Sequence, residues 1–178
     1  MHVNGNATAC TGLEDLRLAE IEAKLASLGV TLPDPIQVPA GVTLPFSWVR
    51  RHGDRVYVSG HIALNDDGSL AQPLGKVGAE VSEEEGYQAA RKVALAILAS
   101  LQRELGDLDR IEAWLKALGM VNSAPDFNRY PVVINGVPDL IIELFGSERG
   151  DHARSAVGLA GLPFGTPVEI EAEVLIKV

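Results

Sequence analysis

The chain has 178 residues, 47% of them hydrophobic and 22% charged, which is typical of a folded globular protein and not of a disordered one. Its single cysteine, Cys10, excludes a disulfide scaffold and a thiolate metal site. Fifteen basic residues against 24 acidic ones give a net charge of −9, which disfavours a nucleic-acid-binding protein. The sequence shows neither a targeting peptide nor an apolar stretch of membrane-spanning length, so we expect a cytoplasmic protein.

The first 41 residues predict a tail, a helix and a linker. Thr11 and Glu14 form a capping-box pattern that opens the helix, and Gly29 is placed to end it. Closely spaced prolines and a glycine then favour a linker. We therefore divide the chain into an extension, residues 1–41, and a main domain, residues 42–178.

The main domain alternates strand and helix patterns. Its strands are predicted at residues 46–50, 55–62, 108–122, 154–161 and 167–177, and its helices between Ser82 and Gly106 and at residues 131–146. This β-β-α-β-α-β-β order indicates an α+β fold with one sheet and two helices on one face, preceded by the N-terminal helix. The opposite face carries enough apolar residues to favour an oligomer. The alternation in the third strand places Trp114 on its wetter face.

The last strand carries a row of carboxylates. Glu169, Glu171 and Glu173 alternate with apolar residues and share one face of the strand. Their repulsion disfavours the charged forms and can raise a pKa. The row fits either a solvated face or a cleft carboxylate that exchanges protons. A hairpin-like return would bring Arg154, at the start of the preceding strand, near these glutamates, where it could pair with one or bind a carboxylate ligand.

The four histidines lie at positions 2, 52, 61 and 152, without the spacing of metal ligands. We therefore expect no metal and no cofactor. His61, at the end of a strand, is interpreted as a polar strand-end residue.

Several short motifs occur in a defined order. They are Pro45-Phe46, Val56-Tyr57-Val58-Ser59-Gly60-His61-Ile62, Asn135, Ala153-Arg154-Ser155-Ala156-Val157, Leu162-Pro163 and Val168-Glu169-Ile170-Glu171-Ala172. Together they resemble the RidA/YjgF family of reactive-intermediate deaminases, also called L-PSP endoribonucleases or translation inhibitors. The similarity covers roughly residues 42–178, and the extension is similar to a longer, L-PSP/chorismate-mutase-like branch of the family.

The resemblance implies a chorismate-mutase-like protomer that forms a homotrimer, with clefts between the subunits. It implies that Arg154 binds the substrate carboxylate and that Glu169 activates or holds a water molecule. Around the cleft it places Phe46, Gly60, Asn135 and Ala156. Three positions depart from the family pattern: Ala156 replaces a common cysteine, His61 a common glutamine, and Phe46 lacks a tyrosine hydroxyl.

The activity implied is the hydrolysis of enamine or imine acids, of the 2-aminoacrylate and 2-iminobutanoate type, to 2-oxo acids and ammonia. A positioned arginine and one carboxylate suffice for that chemistry. The alternative is a non-enzymatic module that binds a small carboxylic acid in the same cleft. An endoribonuclease or translation inhibitor is less favoured because of the acidic charge, and neither a nucleic-acid nor a membrane partner is expected.

Overall fold

The computed structural model describes residues 20–38 and 40–178. The helices are α1 (Glu20–Ser27), α2 (Glu83–Leu105), α3 (Tyr130–Ile134) and α4 (Gly136–Gly150). The strands are β1 (Val49–His52), β2 (Arg55–Ile62), β3 (Ile111–Asn122), β4 (Ala153–Leu159) and β5 (Val168–Ile176). The predicted start of the first helix, at Thr11, lies outside the described residues.

The five strands form one mixed sheet in the order β1-β2-β5-β3-β4. β4 runs parallel to β3, and the other neighbouring strands are antiparallel. The parallel pair requires a crossover, which α3 and α4 provide. The helices cover one face of this sheet, and the predicted α+β fold with helices on one face is confirmed.

Helix α2 forms where its sequence predicts. Ser82 accepts a hydrogen bond from the Glu85 amide, and the Glu85 side chain accepts one from the Ser82 amide, so the capping box is complete. At the other end Gly106 adopts a left-handed conformation that ends the helix. Within residues 20–38 and 40–178, no helix combines the length and apolar content that a membrane span requires.

Strand β3 departs from the predicted alternation. Trp114 is 2% exposed and packs edge-to-face on Phe145 of α4, so its prediction on the wetter face is wrong. The pairing of β3 with β5 shifts register between Ile111 and Ala113 and again between Trp114 and Lys116. Each irregularity changes which side chains face the helices.

Strand β4 does not lie beside β5, because β3 separates them. The predicted hairpin-like return of residues 154–160 onto residues 168–176 is therefore wrong. The prediction follows from the short loop between the last two strands, since short loops usually connect antiparallel neighbours. In the structure the crossover through α3 and α4 instead places β4 at the free edge of β3. Consequently Arg154 lies away from the glutamates of β5.

Several predicted elements begin or end elsewhere. The strand predicted over residues 108–122 begins at Ile111, because residues 108–110 form a 3-10 helix. The first strand starts at Val49 and not at residue 46, because residues 46–48 form an irregular segment that is hydrogen-bonded to Ser59. The predicted helix at 131–146 is divided at Asn135 into α3 and α4. Gly136 lies so close to the backbone of α2 that a side chain there would collide with it. The predicted stop, Gly146, has a φ of 74° and interrupts α4, which continues for one further turn.

The described part of the extension packs on the main domain. Ile21 and Leu25 of α1 belong to the same buried cluster as the sheet and α2. After α1, Gly29 has a φ of 66°, as expected for a residue that ends a helix. The proposed division between residues 41 and 42 stays a prediction.

Candidate functional site

The helix-facing side of β4 carries one group of the predicted site residues. Arg154 and Ala156 are half-buried there and alternate with exposed neighbours. The Arg154 guanidinium donates a hydrogen bond from Nη1 to Oδ1 of Asn135, at 2.8 Å. Asn135 lies at the junction of α3 and α4, so the break in the predicted helix is what presents its amide to Arg154.

Arg154 keeps hydrogen-bonding capacity beyond this contact. In the described part of the chain, no carboxylate lies within 4 Å of its guanidinium. A guanidinium has five N–H groups arranged to match a carboxylate. Because β4 is an edge strand, an arginine held there by an amide can accept an anionic ligand from outside the chain.

The opposite, open face of the sheet carries the second group, around Glu169. The glutamates of β5 face outward there, whereas Val168 and Ile170 are buried under the helices. Gly60 of β2 lies directly against the Glu169 carboxyl, and a β-carbon on Gly60 would collide with Oε1 of Glu169. The absence of a side chain on Gly60 therefore leaves the space that the Glu169 carboxyl group occupies.

Ser59, which is next to Gly60, holds the segment that precedes β1 by two hydrogen bonds. Its amide donates to the carbonyl of Trp48 at 3.0 Å, and its hydroxyl donates to the carbonyl of Ser47 at 2.8 Å. Phe46 is 50% exposed and packs edge-to-face on Trp48, with ring centroids 4.9 Å apart. Ser59 is not among the predicted site residues. Its position next to Gly60 in the strand motif is the feature of the sequence that could have identified it.

The surroundings of the Glu169 carboxyl group favour its protonated form. Its partial burial raises its pKa above the ordinary value, and the neighbouring Glu171 carboxylate raises it further. The repulsion predicted from the row of glutamates is therefore present, but burial is the larger cause. A carboxyl group of this kind is suited to take up and return a proton.

Arg154 and Glu169 do not converge within one chain. The helices lie on the side of the sheet that holds Arg154 and Asn135, whereas Glu169 and Gly60 lie on the open side. β3 also separates the two strands. The structure thus brings together two pairs of predicted site residues and leaves the pairs apart.

His61 differs from its interpretation as a polar strand-end residue, because its ring is buried between β2 and α2. Its Nδ1 lies 2.7 Å from the carbonyl oxygen of Ser59, and its Nε2 lies 2.8 Å from Oγ of Ser100. The pKa of His61 is lowered to about 4, mainly by burial and to a smaller extent by the Arg103 charge, while the hydrogen bond to the Ser59 carbonyl acts in the opposite direction. The imidazole is therefore neutral at pH 7, with Nδ1 as donor and Nε2 as acceptor.

One acidic cluster has oxygens close enough together for a metal ion. The carboxylates of Glu22, Asp107 and Asp109 each place an oxygen within 4.8 Å of the others. These oxygens accept hydrogen bonds from backbone amides, including those of Ile21 and Leu108. Their evident role is to fasten α1 to the turn before β3.

A mixed five-stranded sheet with helices on one face is the architecture of a chorismate-mutase-like fold. Residues 22–166 match the family model described as YjgF/chorismate mutase-like, putative endoribonuclease. The chain belongs to this family, and the predicted resemblance is confirmed.

Individual relatives support the assignment over most of the chain. Protein TCP17 of Trypanosoma cruzi is 42% identical over 152 residues, which are 85% of this chain and 91% of that protein. The crystal structure of Atu1372 from Agrobacterium tumefaciens superposes with a TM-score of 0.81 at 37% identity, covering 93% of this chain and 99% of that one. A putative endoribonuclease of Shewanella oneidensis MR-1 gives a TM-score of 0.77 at 26% identity, covering 88% and 99%.

Proposed function

We propose that this protein hydrolyses enamine or imine acids to 2-oxo acids and ammonia, in clefts between the copies of a homotrimer. The observation that carries the proposal is the Arg154 guanidinium, which is held by Asn135 on an edge strand and has no acidic partner in the described structure. Such a group is built to hold the carboxylate that every substrate of this class contains.

Arg154 orients the substrate. One N–H is occupied by Asn135, which fixes the plane of the guanidinium, and the remaining N–H groups face a ligand carboxylate. Two parallel charge-assisted hydrogen bonds define both the position and the orientation of the acid. The adjacent imine carbon is thereby held in one place for attack.

Glu169 supplies proton transfer. Its carboxylate removes a proton from water as the water oxygen bonds to the carbon of the protonated imine, and the imine nitrogen becomes a neutral amine. Glu169 then gives that proton to the amine nitrogen. As the C–N bond breaks and ammonia leaves, the Glu169 carboxylate takes up the proton of the new hydroxyl group, and the carbonyl of the 2-oxo acid forms. The raised pKa of Glu169 brings its proton affinity nearer to neutral pH, where both transfers must occur.

A cleft between copies accounts for the placement of the two groups. Since Arg154 and Glu169 lie on opposite sides of the sheet, one small substrate cannot contact both within one chain. The open face also presents the half-exposed apolar side chains of Leu118, Met120 and Val157, which a second copy would cover. A closed ring of three such contacts would create three equivalent sites.

The charge of the chain disfavours the RNA-directed activity in the names of several relatives. A net charge of −9 opposes the association with polyanionic RNA that counterion release would otherwise drive. The arginine and glutamate described here fit a small acid better than a polyanion.

The experiment is an ammonia- or 2-oxo-acid-release assay in which an amino-acid oxidase generates imino acids in situ. The wild type should accelerate release, and Arg154→Ala should lower kcat/KM about 100-fold or more, because two charge-assisted hydrogen bonds are lost. Arg91→Ala, on the surface of α2, is the matched control and should retain activity. No acceleration by a folded, trimeric wild type would contradict the proposal, and saturable binding of the acid without turnover would favour the non-enzymatic module.

A further inference from the structure

A cavity lies between helix α2 and strands β1 and β2. It has a volume of about 410 Å³, within the range of small-molecule sites. It is bounded by the C-terminal half of α2, by β1 and β2, and by the segment after α1. Its apolar walls come from Ile36, Trp48, Ile62, Leu64 and Ala96.

A chain of polar side chains forms one wall of this cavity. Ser100 is 8% exposed and donates its hydroxyl proton to Nε2 of His61, which is 5% exposed. Nη2 of Arg103 in turn donates to Oγ of Ser100 at 3.0 Å, and Nη1 of Arg103 donates to the carbonyl of Pro33 at 3.1 Å. One buried hydroxyl, itself bonded to His61, and one backbone carbonyl thus hold the guanidinium in place.

Arg103 brings a positive charge to a cavity that is lined by both apolar and polar side chains. Its two hydrogen bonds go to uncharged groups, and in the described part of the chain no carboxylate lies within 4 Å of it. Partial burial lowers the pKa of Arg103, and the Asp34 carboxylate, farther away, opposes this effect. Arg103 and Glu104 are both exposed in part to water, but only the guanidinium is hydrogen-bonded to the described cavity wall.

The geometry does not favour acyl transfer by Ser100. A serine nucleophile needs donors near its hydroxyl to stabilise an oxyanion. Ser100 lies inside α2, where the neighbouring backbone amides are committed to the helix. Arg103 and the serine–histidine pair therefore form a binding wall, with His61 fixed as a neutral acceptor.

We propose that this cavity binds a small monocarboxylic acid with an apolar tail. The carboxylate would bind the free N–H groups of Arg103, and the tail would lie against Trp48 and Ile62. A single guanidinium in an apolar cavity fits one carboxylate better than a multiply charged phosphate. The proposal does not depend on the deaminase activity, because neither Arg154 nor Glu169 lines this cavity.

Titration calorimetry with hexanoate and phenylacetate tests the proposal, with hexanamide and phenylacetamide as neutral analogues. The acids should bind one per chain and change the fluorescence of Trp48, and the amides should bind about tenfold more weakly or worse. Absence of acid binding, or equal binding of acid and amide, would overturn the proposal.

Variants of single residues test whether the acid binds in this cavity. Arg103→Gln retains hydrogen-bonding capacity but loses the charge, and should weaken acid binding about tenfold or more without affecting the amides. Arg91→Gln, on the same helix but outside the cavity, should bind like the wild type. Arg154→Ala should also retain this binding, so a loss in Arg154→Ala with none in Arg103→Gln would assign the acid to the other site and refute the proposal. Ala96→Leu, which fills the apolar end, should abolish binding of both probes.

Discussion

Glu169 and Gly60 show how one residue sets the properties of another in this site. The glycine leaves room for the Glu169 carboxyl, which is partly buried beside it on the open face of the sheet. Burial and the Glu171 carboxylate both oppose ionisation of Glu169. The chemistry proposed for this carboxyl group therefore depends on Gly60 and Glu171 as well as on Glu169 itself.

The pH dependence of turnover follows from the raised pKa of Glu169. Since the carboxylate must be deprotonated to act as a base, kcat/KM should rise with pH through an apparent pKa above the ordinary 4.5. Glu169→Gln should remove this rise and lower kcat/KM about 100-fold. The measurement is a pH–rate profile with one imino acid.

Two neighbouring glutamates provide matched controls for that profile. Glu171→Gln removes a charge that raises the pKa of Glu169, so the rise in kcat/KM should move to lower pH. Glu173→Gln, farther along the same face, should leave it in place. An unchanged profile in Glu171→Gln, or a rise that persists in Glu169→Gln, would show that another group titrates.

Gly60→Ala tests the contact between the two residues. The added methyl group would collide with the Glu169 carboxyl and displace it, so kcat/KM should fall about 100-fold while the protein stays folded. Gly161→Ala is the control, because a β-carbon there meets no atom within 4 Å. Steady-state kinetics and circular dichroism separate the two effects, and full activity in Gly60→Ala would contradict the placement of Glu169.

The motifs around Arg154, Glu169, Asn135 and Gly60 identify these residues from the sequence, because their spacing carries the family resemblance. Their partners are harder to predict. The Arg154–Asn135 contact depends on the break between α3 and α4, which a helical pattern through residues 131–146 conceals. The position of Arg103 beside Ser100 follows from helical spacing, but the cavity that they line depends on three separate chain segments.

At the level of elements, local signals determine α2 completely. The cap residues fix both ends of the helix, and its apolar residues alone specify the buried face. Non-local pairing determines β3 and β4 instead. The irregularities that bury Trp114, and the parallel pairing that places β4 at the edge, depend on neighbours distant in sequence, which is why alternation and loop length predicted them wrongly.

The reciprocal cap of α2 gives a stability prediction. Ser82→Ala should cost about 1 kcal/mol, because it leaves a first-turn amide without its acceptor. For a chain of this size the melting temperature should fall by about 2–4 °C. Thermal denaturation of Ser82→Ala, Glu85→Ala and the double variant tests this, and the double variant should lose less than the sum of the single losses. Strict additivity would contradict a reciprocal cap.

At the scale of the whole molecule, the sheet separates Arg154 from Glu169, although the proposed reaction requires both residues at one site. Arg154 belongs to the helix side and Glu169 to the open side, so the account requires each site to take Arg154 from one copy and Glu169 from another. The acidic net charge of the chain by itself disfavours an anionic substrate. Each site proposed here nevertheless contains an arginine with no carboxylate within 4 Å in the described structure, and such an arginine can bind a small anion. The sequence predicted an oligomer from the apolar residues of the open face, but not that the sheet would divide the site.

Mixing two inactive variants tests this claim most directly. Arg154→Ala and Glu169→Gln would be purified separately and also co-expressed at equal levels, and deaminase activity would be measured for each preparation. In randomly mixed trimers, about a quarter of the sites should combine an intact Arg154 with an intact Glu169, so the mixture should recover about a quarter of the wild-type activity. If the co-expressed mixture is no more active than either variant alone while the wild type is active, the two residues do not meet between copies and the account is wrong.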